Sequence, residues 1–193
     1  ETLVGDVVLP DGPGPHPAVL FVAGTGSQNR EGDFYASGRW HVHGIYRLAT
    51  DRLAQAGFAS LCWDKRGVGA SSGGDREPGD DPGNRDAHAH VLTDVADAEQ
   101  ALSTLSTYPG IDPGRIAVQG KSAGVYFASL LAARSHAPAA YVFWGGVHRD
   151  IVALMEYIYG QLEAYCARGP EQDAWVRETL PESYQIHRHW RDW

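Results

Sequence analysis

The sequence predicts an α/β fold, an open and mostly parallel sheet with helices on both faces. Three observations carry this. Short, predominantly apolar runs recur at residues 18–23 (AVLFVA), 58–63 (FASLCW) and 139–144 (AAYVFW), as strands covered on both faces require. Between such runs lie segments whose apolar residues recur at helical spacing. Gly and Pro mark each change of rhythm, and the alternation is that of right-handed parallel crossovers.

In chain order, residues 3–9 alternate loosely and run into Pro10-Asp11-Gly12-Pro13-Gly14-Pro15, a strand entering a tight turn. Residues 18–23 form the next strand. The 18 residues that follow, GTGSQNREGDFYASGRWH, are too many for a bare connector and read as a functional loop. Ile45, Leu48, Ala49, Leu53 and Ala56 then share a helix face that Gly57 ends. After the strand at 58–63, residues 64–87 are rich in Gly, Asp and Ser and read as a long surface loop. Val91, Val95, Ala98, Leu102 and Leu105 make a second helix, residues 116–119 (IAVQ) a strand, 123–134 a third helix and 139–144 a buried strand. Beyond Gly146 the rhythm stops, with helical patterns at 151–167 and 172–180. The expected organisation is a core at 1–146 and a helical segment at 147–193.

Composition narrows the function. The chain has 193 residues and a formal charge of −8, which argues against nucleic acid or an anionic membrane as the main partner. No apolar run approaches the ~18 residues of a transmembrane span. Two cysteines cannot form a disulfide framework, and Cys62, inside an apolar run, reads as a buried free thiol. A cytoplasmic location is expected, with the true N-terminus lying outside this sequence. Because Glu1 rather than Met comes first, a processed or trimmed chain is also expected.

Gly120-Lys121-Ser122-Ala123-Gly124 follows a strand directly and opens a helix. A nucleophilic serine on such a turn is held in a strained backbone conformation, so its neighbours two residues away must be very small. The turn lifts the hydroxyl above the carboxyl edge of the sheet, and the helix start offers N–H groups to a developing oxyanion. A Gly-rich turn without chemistry is the alternative. No nucleotide-binding fingerprint is present, since Gly67 to Gly74 lacks both the G-x-G-x-x-G spacing and a Walker lysine.

With this elbow on the page, residues 1–146 resemble the α/β-hydrolase family. Asp64-Lys65-Arg66-Gly67-Val68-Gly69-Ala70-Ser71 is similar to the family's D-x-R-G-x-G-x-S loop, and Ala23-Gly24-Thr25-Gly26 stands where the family carries its oxyanion loop. The continuation SQNREGD is similar to the serine-aminopeptidase-like and esterase-like branch. The resemblance implies Ser122 as nucleophile, an oxyanion hole at the backbone N–H groups of Thr25 and Ala123, and acyl transfer to water, with Gly24, Gly120 and Gly124 shaping the loops. Ala23 departs from the family by replacing a frequent His, and Lys121 occupies a slot more often held by another residue. An Asp–Arg pair in the Asp64–Arg66 loop is expected to hold the turn rather than to react.

The same resemblance implies a carboxylate and then a histidine after further strands that this sequence does not reach. A remaining C-terminal segment or a second chain is therefore expected to supply them. Within the chain, Asp150 is the candidate acid, with His148 beside it; His187 and His189 are candidate bases or wet surface. His88 and His90 read as capping or solvent-facing. No metal and no cofactor is expected, the His-x-His pairs having no other ligand cluster near them. The aromatic helical stretch after Gly146 reads as a cap over the site, a packing helix or a homodimer contact. The expected activity is a serine hydrolase acting on an ester, thioester or amide carbonyl of a small acyl substrate. An acyltransferase using the same serine and a non-catalytic ligand-binding relative are the alternatives.

Overall fold

A computed structural model of the chain describes residues 2–36, 39–72, 87–134, 138–146, 151–179 and 184. The chain forms two compact units, residues 1–79 with 86–146 and residues 80–85 with 147–193. The first holds β1 (Gly5–Val8), β2 (His16–Val22), β3 (Ser27–Gln28), β4 (Phe34–Ala36), β5 (Arg39–His41), α1 (Ile45–Gln55), β6 (Ala59–Trp63), α2 (Ala87–Ser106), β7 (Ile111–Lys121), α3 (Gly124–Arg134) and β8 (Ala140–Trp144). The second holds α4 (Ile151–Cys166) and α5 (Pro170–Thr179).

The main sheet runs β1-β6-β2-β7-β8, with β1 antiparallel to β6 and the other pairs parallel. Strand parity sorts its side chains. Ala18, Leu20 and Val22 of β2, Ala59 and Leu61 of β6, and Ile116 and Val118 of β7 join one buried cluster. Val95, Ala98, Leu102 and Leu105 of α2 and Phe127, Ala128 and Leu131 of α3 complete it. The intervening Phe21 and Cys62 belong to a second cluster with Tyr46 of α1, where the Phe21 and Tyr46 rings lie 5.3 Å apart. Burial pushes the Cys62 thiol well above its ordinary pKa, which makes it an inert packing group.

Among the described residues β8 has one neighbour, β7, and its Val142, Phe143 and Trp144 are exposed. Two expectations need correcting. The segment after β2 is not an irregular loop, because β3, β4 and β5 pair within it as a small antiparallel sheet on which the Phe34 and His41 rings stack at 4.7 Å. The start of the next loop is not surface either, since Asp64, Lys65, Val68 and Ser71 are all buried. Residues 73–86 of that loop lie outside the described residues.

In the second unit α4 and α5 pack on each other through Tyr165 and Trp175, whose rings meet edge to face at 5.9 Å. Pro170 opens α5, where its missing N–H costs nothing, and Glu171 and Asp173 place negative charge in the first turn. Among the described residues no helix is long and apolar enough to cross a membrane.

Candidate active site

The connectivity of the sheet selects one place for a crevice. β2 passes through α1 to β6 on one side, whereas β7 passes through α3 to β8 on the other, and β2 and β7 are neighbours. Chains that leave adjacent parallel strands in opposite directions open a gap at the strands' carboxyl ends. Val22 pairs with Gly120 at that end, so residues 23–25 and 121–124 border the gap.

Ser122 stands there with φ 54°, and among the described residues it alone has a positive φ without being glycine. Its side chain is exposed, and its N–H donates to the Trp144 carbonyl at 2.9 Å, so the turn is tied to β8. The flanking glycines have no room for a side chain. A Cβ on Gly120 would come within 2.5 Å of the Gly124 carbonyl oxygen, and one on Gly124 within 2.2 Å of the Val22 carbonyl oxygen. The small residues expected two positions either side of Ser122 are thus required by close backbone approach.

Gly24 completes the juxtaposition. A Cβ there would lie 2.9 Å from the Lys121 carbonyl oxygen and 3.1 Å from Ser122 Cβ, so the Gly24–Thr25 segment runs directly against the serine. Gln28 Nε2 donates to the Thr25 carbonyl at 2.6 Å, and Lys65 Nζ donates to the Gly24 carbonyl at 3.0 Å. The N–H groups of Thr25 and Ala123 make no hydrogen bond among the described residues. Ser122, Gly24, Thr25, Gly120, Ala123 and Gly124 therefore lie together at this end of the sheet.

Other expected residues do not enter this picture. Asp150, His148, His187 and His189 lie outside the described residues; so do the side chains of His88 and His90, although their backbone belongs to α2. No histidine or carboxylate among the described residues bonds Ser122 Oγ, and none of these residues group as a metal-binding cluster. Lys121 is half-buried, its ammonium 5.5 Å from the centre of the Tyr46 ring. An open, mostly apolar crevice of about 190 Å³ toward the amino end of β7, between Leu102, Pro113 and Leu131, is lined also by Ser103 and Ser106 but not by Ser122.

The loop after β6 braces the site in a way the motif did not disclose. Asp64 is paired not with Arg66 but with Arg30, whose guanidinium contacts it and whose backbone N–H donates at 2.8 Å. Ala70 N–H also donates to Asp64 at 2.8 Å, and a Cβ on Gly69, at φ 56°, would come within 2.3 Å of that carboxylate. Arg66 grips Asp97 of α2 through two nitrogens at 2.6–3.0 Å. Each pair joins residues 31 or 34 positions apart, which no local pattern could reveal.

The segment leading into α1 depends on Asp33. Its carboxylate accepts the backbone N–H groups of His43 at 2.7 Å and Gly44 at 2.8 Å, while the Glu31 carbonyl takes the Tyr46 N–H at 3.0 Å. Burial works to raise the Asp33 pKa, but the Gly44, His43 and Asn29 donors outweigh it and hold the group below the usual carboxylate range. A depressed pKa adds stability that is complete above the unfolded value of about 3.9 and lost as pH falls through the lower folded value. Asp33→Asn should cost about 1–2 kcal/mol at neutral pH. The gap from the parent in urea titrations should close as pH drops below about 4; a gap that persists unchanged in acid contradicts this account.

No family model matches the chain, and no curated protein does. Solved structures do. The α/β hydrolase GrgF from Penicillium sp. sh18 aligns with a TM-score of 0.58 at 17% identity, over 86% of this chain and 49% of that one. The proline iminopeptidase of Mycobacterium smegmatis aligns at 0.54 and 17%, over 94% and 51%. The dienelactone hydrolase of Anabaena variabilis aligns at 0.52 and 24%, over 75% and 57%. The chain spans about half the length of these structures. With the carboxyl-edge crevice, the strained serine between two obligatory glycines and these likenesses together, the chain has the α/β-hydrolase fold.

Proposed function

We propose that the protein is a serine hydrolase that acts on an ester, thioester or amide carbonyl through an acyl-Ser122 intermediate. Hydrolase activity is the coarser part of this reading and agrees with the hydrolases among its structural neighbours. The observation that carries the finer part is the left-handed backbone of Ser122, held exposed between glycines that admit no Cβ. Strain of this kind costs ~1–3 kcal/mol and persists only where the surroundings impose it.

In the proposed reaction Ser122 Oγ forms a bond to the substrate carbonyl carbon and gives its proton to a base. The displaced electron pair becomes an oxyanion facing the N–H groups of Thr25 and Ala123. Collapse breaks the bond to the alcohol, thiol or amine, which leaves with a proton, and water then releases the acyl group by the same steps. Each amide contributes about 3 kcal/mol to lowering the barrier. The base and the acid that orients it come, in this reading, from residues outside the described set, with Asp150 as the acid within the chain.

The test is labelling with a fluorophosphonate, in which an Oγ–P bond forms and fluoride leaves. One equivalent on Ser122 is expected, located by peptide mass spectrometry. A chain that takes no label, or takes it elsewhere, overturns the reading. Added alcohol or hydroxylamine then separates the two enzymatic alternatives, since only an acyltransferase passes most of the acyl group to the added nucleophile when water is in excess.

A further inference from the structure

Lys65 is a charged residue in an unusual place. It is 5% exposed, at the start of the loop after β6, and its ammonium lies 3.1 Å from Asp94 Oδ2 and 5.6 Å from the centre of the Phe127 ring. It also donates to the Gly24 carbonyl, at 3.0 Å. Val22, Ala23, Trp63 and Phe127 wall this pair in, leaving a gap of only about 10 Å³, no more than one water needs. Burying an ammonium is costly even with a carboxylate beside it, and an apolar residue would fill such a wall at less expense. The position of the charge therefore calls for a reason other than packing.

That reason lies in the peptide unit it touches. The Gly24 carbonyl and the Thr25 N–H are the two ends of one amide, rigid and planar through resonance. A cation on the carbonyl end draws electron density toward that oxygen and leaves the N–H end more positive, and in a dry site hydrogen bonds polarise one another in this way. It also fixes the plane of the amide, and with it the direction in which the N–H points. Gln28 performs a related service one residue on, accepting no share of the charge but holding the Thr25 carbonyl.

We propose that Lys65, held by Asp94, is a positioning residue that orients and polarises the Gly24–Thr25 peptide so that the Thr25 N–H meets an oxyanion formed at Ser122. This rests on the serine reading above. It requires Lys65 to act on the chemical step and not on encounter with the reagent.

The experiment measures fluorophosphonate labelling at several reagent concentrations on the whole chain, which separates the first-order inactivation rate from the concentration giving half of it. Lys65→Met should slow the inactivation rate at least about tenfold, a fraction of the 10²–10³ that loss of a whole oxyanion donor brings. The half-saturating concentration should stay within about twofold. Lys65→Gln keeps a neutral donor for the Gly24 carbonyl and should fall between the two. In parallel, the Thr25 amide proton should shift upfield in Lys65→Met, read by ¹⁵N-edited NMR.

Urea titration reports whether each variant folds, and Lys65→Gln carries the test if Lys65→Met does not. A folded variant that labels at the parent's rate, or a Thr25 resonance that does not move, overturns the proposal. So does a rate that falls only in proportion to the folded fraction, which is the mark of a purely structural lysine. If the parent itself takes no label, the serine reading fails and takes this one with it. If the parent labels and the variants label equally fast, the serine reading stands and only the role of Lys65 is lost.

Discussion

A chain carrying Ser122→Gly should melt slightly later than its parent and take no acyl or phosphonyl label at all. The two effects come from one backbone angle. At φ 54° a residue with a Cβ pays about 1–2 kcal/mol that glycine does not. Against this, glycine loses about 0.5–1 kcal/mol more conformational freedom on folding. The relief outweighs the loss, leaving roughly 0.5–1 kcal/mol of added stability, or a melting temperature higher by about 2 °C for a chain of this length. Activity should fall by about 10⁴-fold or more, because the proposed nucleophile is gone. Ser122→Ala separates the terms: it removes the hydroxyl, keeps the strain, and should lose activity without the gain in stability. Scanning calorimetry decides the matter, and a Ser122→Gly protein less stable than Ser122→Ala would mean that the serine's conformation is not strained.

Gly124→Ala should be the costliest single methyl in the first unit. Glycine to alanine inside a helix ordinarily stabilises by about 1 kcal/mol, and Gly160 in α4, with open space around its missing Cβ, should behave so. Gly124 opens α3 where the helix crosses the end of β2, and its Cβ would meet the Val22 carbonyl oxygen at 2.2 Å and that of Ala23 at 2.8 Å. Both are backbone atoms at the carboxyl end of β2, where Val22 is paired with Gly120 of β7, so neither can yield cheaply. The helix would have to lift, opening the contacts of Phe127, Ala128 and Leu131 with the core. Overpacking of this kind costs about 3 kcal/mol. A urea midpoint within error of the parent's would show that the elbow is not wedged against β2.

Much of this was readable in the residues themselves. The runs at 18–23 and 58–63, the helical face from Ile45 to Ala56 and the stop at Gly57 follow from period and composition, which act over a few neighbours. Those features place β2, α1 and β6 close to where they lie. The elbow was legible for the same reason, since its geometry is decided by five consecutive residues and the elements that flank them.

What the tertiary structure alone decided is whatever depends on residues far apart along the chain. The strand order β1-β6-β2-β7-β8, and with it the crevice between β2 and β7, comes from which strands find each other. An apolar run does not name its neighbours in a sheet, so the pairing of β8 with β7 could not be read from composition. The partner of Asp64 is Arg30 and not its near neighbour Arg66, and the ammonium of Lys65 reaches a carbonyl 41 residues away. A charged side chain carries no mark in sequence of whether water or a peptide group will neutralise it; only the packing of the loops against the sheet makes that choice, because burial is a property of the assembled surroundings.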